Sequence, residues 1–81
     1  MNILIVEDEI PATNKLIKLL ESIDPSFTVR GTCRTIEESV NWIRNNPQPQ
    51  LIFMDIGLAD GKSFDIFEQV KITCPVICVT A

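Results

Sequence analysis

Three apolar runs in this sequence of 81 residues end in side chains that can do chemistry. Leu51, Ile52, Phe53 and Met54 stop at the carboxylate of Asp55. Residues 2–6 run into Glu7-Asp8-Glu9, and residues 76–79 run into Thr80. Carboxylates that converge without a basic partner repel, so either one is protonated or a divalent cation lies between them. A hard ion with oxygen ligands and several retained waters suits such a set, which points to Mg²⁺. An aspartate beside a metal, with a hydroxyl opposite, is equipped to accept a phosphoryl group, because that transfer needs chiefly alignment and charge neutralisation.

For these groups to meet, their strands must end at one edge of one sheet. Residues 51–55 lie between Asn45, Asn46, Pro47 and Pro49 on one side and Gly57 and Gly61 on the other. A short apolar run bounded in this way reads as a central strand of a parallel sheet, buried on both faces. Residues 2–6 read the same way. Pro11 suits the first turn of a following helix, with Asp8 or Glu9 as its cap, and Ala12, Leu16, Leu19, Leu20 and Ile23 form its apolar face until Asp24-Pro25 stops it. Phe27, Val29, Gly31 and Cys33 alternate with Thr28, Arg30 and Thr32, the period of an edge strand with one wetter face. Thr35 and Glu38 form a capping box before the stripe Ile36, Val40 and Ile43. Residues 56–61 read as a loop. A third helix is expected over 63–73, facing inward with Phe64, Phe67 and Val70 or with Ile66 and Val70, and Pro75 ends it before the last strand. The order β-α-β-α-β-α-β with short connections calls for right-handed crossovers, and hence an α/β parallel sheet with helices on both faces. The carboxyl edge of such a sheet is where ligands bind.

Composition narrows the functional classes. A chain of this length fits one domain, burying about 60% of its unfolded surface. An apolar content of 46% with a net charge of −4 fits a globular protein. Seven scattered Lys and Arg argue against contact with nucleic acid. The short amino-terminal apolar run, without a basic flank, fits no signal peptide, and the expected location is the cytoplasm, with no membrane contact. Cys33, Cys74 and Cys78 are expected to be free core or near-core thiols, since four residues of strand put the last two about 13 Å apart. Glu7-Asp8-Glu9-Ile10-Pro11-Ala12 offers no glycine-rich phosphate loop, against a nucleotide-binding enzyme. The plainer reading of Asp55 is a helix cap or turn residue after a strand, and of Glu7 and Asp8 a cap of the helix that starts at Pro11, a role compatible with metal binding.

The segments 3–9 (Ile-Leu-Ile-Val-Glu-Asp-Glu), 51–61 (Leu-Ile-Phe-Met-Asp-Ile-Gly-Leu-Ala-Asp-Gly) and 75–81 (Pro-Val-Ile-Cys-Val-Thr-Ala), in order and at this spacing, resemble the receiver domains of bacterial two-component response regulators. Asp60-Gly61-Lys62-Ser63-Phe64 looks most like receivers attached to LytTR-type DNA-binding domains. The resemblance covers residues 1–81 and implies a flavodoxin-like fold. It further implies Asp55 as phosphoacceptor, with Asp8, Asp55 and the Gly57 carbonyl on Mg²⁺ and Glu7 acting on the metal through water. Thr80 is the implied switch hydroxyl and Ala81 the implied backbone donor to the phosphoryl group. The implied partner is a sensor histidine kinase, and the chain is a self-phosphorylating switch rather than an enzyme acting on another substrate.

Set against the family pattern of five strands and five helices, the domain reads as truncated. Four strands and three helices are expected, without helix four, strand five and helix five, or the lysine that follows strand five. An uncovered sheet face at residues 51–54 and 76–79 and an open fourth strand then lead to an expectation of homo-oligomers. The alternative function is accordingly that of a phosphorylation-incompetent fragment acting only as a self-associating structural or interaction unit.

Overall fold

The computed structural model describes residues 1–79. The chain runs β1 (Asn2–Val6), α1 (Ile10–Ile23), β2 (Thr28–Cys33), α2 (Ile36–Asn45), β3 (Leu51–Asp55), β4 (Gly57–Leu58), β5 (Gly61–Lys62), α3 (Asp65–Gln69) and β6 (Val76–Val79). Four strands pair in parallel in the order β2-β1-β3-β6. This is the expected receiver-type, flavodoxin-like α/β sheet with four strands and three helices. β1 is central because its side chains are apolar on both faces. Ile3 and Ile5 pack with Leu20 of α1, while Leu4 and Val6 pack with Ile36, Val40, Ile43 and Ile66 of α2 and α3. Each such side chain, fully buried, contributes about 1.5–3 kcal/mol. β3 follows the same alternation, with Ile52 and Met54 buried under α2 and α3 and Leu51 and Phe53 half-buried beside α1.

The edge strand departs from simple alternation. Ile3 pairs with Val29 but Leu4 pairs with Gly31, so Arg30 is an extra residue and the register shifts there. A one-residue shift exchanges the two faces of a strand. Val29 therefore packs on the α1 side, whereas Cys33 is buried on the α2 side. The expected single face of Phe27, Val29, Gly31 and Cys33 is in fact divided between the two. Gly31 permits this geometry, because a Cβ there would lie 2.8 Å from Cε2 of the Trp42 indole on α2.

The helices also differ in detail. The buried face of α1 is Thr13, Leu16, Ile17 and Leu20; Leu19 and Ile23, expected inside, are exposed. Its N-cap is Glu9, without a side-chain cap bond. At α2, Thr35 Oγ1 accepts from the Glu38 amide at 3.0 Å, as the capping box requires, but the Glu38 carboxylate accepts from the Arg34 amide, one residue before the cap. The third helix, expected over 63–73, spans only Asp65–Gln69. Gln48 captures the following backbone, donating to the Lys71 carbonyl and accepting from the Thr73 amide. Val70, Ile72, Cys74 and Val76 then face the core at strand period. Ile66 is buried, while Phe64 and Phe67 are exposed. Cys33 is buried and Cys74 half-buried, but Cys78, expected in or near the core, is exposed on β6.

Candidate acidic site at the carboxyl edge of the sheet

β1 and β3 lie side by side in register, Val6 opposite Met54, so their ends deliver Glu7, Asp8 and Asp55 to one place. The Glu7 amide donates to the Cys33 carbonyl at 2.9 Å, which extends the ladder to β2 by one residue and holds Glu7 at the sheet edge. Beyond it the chain leaves the sheet, and the Asp8 amide donates to Glu7 Oε2 at 3.0 Å. One carboxylate oxygen from each of Glu7, Asp8 and Asp55 lies within 4.8 Å of the others, and all three residues are half-buried. Sequence reasoning expected these three together, and the fold brings them together.

The electrostatics follow from that crowding. Burial, then the side-chain hydrogen bond to Asp55, then the Asp55 charge push the Glu7 carboxyl up to about 7; the Asp8 amide opposes them. Glu7 and Asp55 also line a small cavity of about 50 Å³ together with the apolar side chains of Ile5, Ala12, Leu16, Phe53 and Val79. A proton between Glu7 and Asp55, or a cation among the three, relieves the repulsion. The donor set is all oxygen and all anionic, which fits a hard divalent ion such as Mg²⁺.

The segment after Asp55, expected as a loop, is a small antiparallel hairpin of β4 and β5, with Gly57 opposite Lys62 and Leu58 opposite Gly61. Leu58 is buried in the core under α2, and Gly61 has φ of +143°, a region that favours glycine. The Asp60 carboxylate accepts from the amides of Ile36, at 2.8 and 3.0 Å, and Glu37, at 3.3 Å, capping α2 from across the molecule. These bonds hold the Asp60 carboxyl below the usual range. Gly57, the expected carbonyl ligand, is exposed at the start of β4, two residues beyond Asp55. Thr80 and Ala81, the expected switch hydroxyl and backbone donor, lie outside the described residues.

Two features here escaped sequence reasoning. Asp60 carries the sequence signal of a turn, Asp-Gly, but nothing in it names α2 as its partner. Arg34 follows β2 directly, and its Nε donates to the Asp8 carbonyl at 3.2 Å. A lone arginine at a strand end carries no local signal of such a contact.

No protein-family model matches the sequence, and no curated protein does. Solved structures do. The chain aligns over its full length with 67% of the MaeR response regulator bound to beryllium trifluoride, at 32% identity and a TM-score of 0.83. It aligns over 99% of its length with 64% of the non-phosphorylated HemR receiver domain from Leptospira biflexa, at 31% identity and a TM-score of 0.77. Over 95% of its length it matches 32% of the response regulator PhyR from Brucella abortus, at 29% identity and a TM-score of 0.81. The chain thus spans about two thirds of the MaeR chains and about a third of that PhyR chain. Among the described residues no helix is long and apolar enough to cross a membrane.

Proposed function

This chain belongs to the receiver family of response regulators, and we propose that Asp55 is its phosphoacceptor, charged by a sensor histidine kinase. The observation that carries this reading is the meeting of Glu7, Asp8 and Asp55 within 4.8 Å at the carboxyl edge of the sheet. In the transfer, an Asp55 carboxylate oxygen attacks the phosphorus of a phosphohistidine. The new O–P bond forms as the P–N bond breaks, and the electron pair stays on the imidazole nitrogen, which takes up a proton. The product is an aspartyl phosphate.

Mg²⁺ would be held by Asp8, Asp55 and the Gly57 carbonyl, with Glu7 acting through water. Bound there, it supplies positive charge that offsets the carboxylates and the phosphoryl oxygens. The chain's own residues do the rest. β1 and β3 keep the three carboxylates at the sheet edge, beside a small cavity lined by the apolar side chains of Ile5, Phe53 and Val79. In this reading Thr80 and the Ala81 amide bind the phosphoryl oxygens, the chain acts as a switch rather than an enzyme for another substrate, and its output is a LytTR-type domain of the parent protein in the cytoplasm.

The test is incubation with Mg²⁺ and acetyl phosphate, followed by intact mass. A gain of one phosphoryl group, absent in Asp55→Asn, is expected; an equal gain in Asp55→Asn would sink the assignment. A second reading, a self-associating unit, is favoured by one observation. Ile77 and Val79 on the edge strand β6, and Leu19 and Ile23 on α1, are exposed apolar side chains. Light scattering on the same sample tests it.

A further inference from the structure

We propose that Arg34 docks the anionic phosphodonor at the mouth of the acidic site, an inference that rests on Asp55 being the phosphoacceptor. Arg34 leaves β2 at the carboxyl edge of the sheet, and its guanidinium is held over the Glu7-Asp8-Glu9 turn by the bond from Nε to the Asp8 carbonyl, 3.2 Å long. That bond uses one of five N–H donors; the other four, on the two terminal nitrogens, remain for another acceptor. The partner is a neutral carbonyl, so the positive charge is not consumed by it. Glu38, an acid of α2 that faces the same open cleft beside Asp8, Thr35 and Ala59, keeps its negative charge there, and its Oε2 accepts from the Arg34 backbone amide.

The chemistry of the approach favours a second positive charge at this place, beside that of the metal. A phosphodonor is itself anionic, and it meets three carboxylates within 4.8 Å of one another. A guanidinium at the rim attracts the donor, and its planar fork matches two oxygens of one phosphoryl group. Held from the neighbouring strand, it is positioned before the donor arrives. Lys62, exposed on β5 opposite Gly57, is the other basic residue close to the loop after Asp55 and serves as the comparison.

The experiment follows the initial rate of phosphoryl uptake from acetyl phosphate in Mg²⁺, against donor concentration and ionic strength. It compares wild type, Arg34→Ala, Arg34→Lys and Lys62→Ala, with Mg²⁺ affinity measured by calorimetry. Arg34→Ala is expected to lower the second-order rate constant about tenfold at low ionic strength and to flatten its salt dependence, with Mg²⁺ affinity within about twofold of wild type. Arg34→Lys, which keeps the charge but loses the fork and the Nε bond, recovers only part of the rate, and Lys62→Ala changes it little. Equal rates in wild type and Arg34→Ala overturn the proposal. So does a fall in Mg²⁺ affinity that parallels the rate in both Arg34 variants, since Arg34 then only positions the Asp8 turn. If wild type itself gains no mass, the phosphoacceptor reading fails first, a result distinct from either.

Discussion

Glu7 shows how a single side chain reports on the whole acidic edge. Its carboxyl, pushed up to about 7 by burial and by Asp55, binds a proton more tightly in the folded chain than in the unfolded one. The stability this contributes is fully present below the unfolded value of 4.5 and is lost as pH rises through about 7. In chelator, the urea midpoint of the wild type should therefore fall between about pH 5 and about pH 8, and Glu7→Gln should flatten that slope. Mg²⁺ competes with the same proton, so its affinity should rise over the same interval. A wild-type slope unchanged by Glu7→Gln would show that another group governs this window.

Two contacts between elements decide how the edge is held. The first is the Asp60 carboxylate on the amides of Ile36 and Glu37, which ties the β4–β5 hairpin to the positive end of α2. Because its carboxyl is held low, its contribution is present above the ordinary 3.8 and is lost as pH falls through the depressed value. Asp60→Asn should lower the melting temperature at neutral pH, with the gap to wild type closing in acid; a gap independent of pH would refute the charge argument. The second contact is Gly31 under Trp42. Any Cβ there meets the indole at 2.8 Å, so Gly31→Ala must displace Trp42 or β2 and should cost about 1–3 kcal/mol. Urea unfolding followed by Trp42 fluorescence measures both the loss and the displaced ring. An unperturbed spectrum and midpoint would contradict this packing.

For the molecule as a whole, the uneven covering of the sheet matters most. α2 and α3 cover one face over β1 and β3 and leave Cys78 of β6 exposed, whereas on the other α1 covers β1 and leaves Ile77 at 46% and Val79 at 41% exposure on β6. Leu51 and Phe53 beside them are only half-buried, so on the open face β6 exposes its apolar side chains more than β3 does. β6 is also an edge strand, with one side of its backbone unpaired among the described residues. The self-association reading therefore predicts light scattering that rises with concentration and drops to the monomer value in Ile77→Lys. A monomer for wild type across the accessible concentrations would end that reading and leave the phosphoacceptor one untouched.

Local pattern alone determined the four strands of the sheet and the meeting of Glu7, Asp8 and Asp55. Apolar runs are strands by their own composition, and a parallel sheet brings every carboxyl end to the same edge. What pattern could not supply were choices between distant partners. Residues 70–73 carry both a helical and an alternating apolar spacing, and the Gln48 side chain, more than twenty residues earlier, selects the extended form. Val29 and Cys33 alternate faithfully in sequence, yet the extra residue at Arg30 places them on opposite faces, and Gly31 then lies against Trp42. The partners of Asp60 and Arg34 were decided in the same way. A hydrogen bond between groups 24 or 26 residues apart depends on where the packed elements leave an unpaired amide or carbonyl. That is a property of the assembled backbone, and no local spacing encodes it.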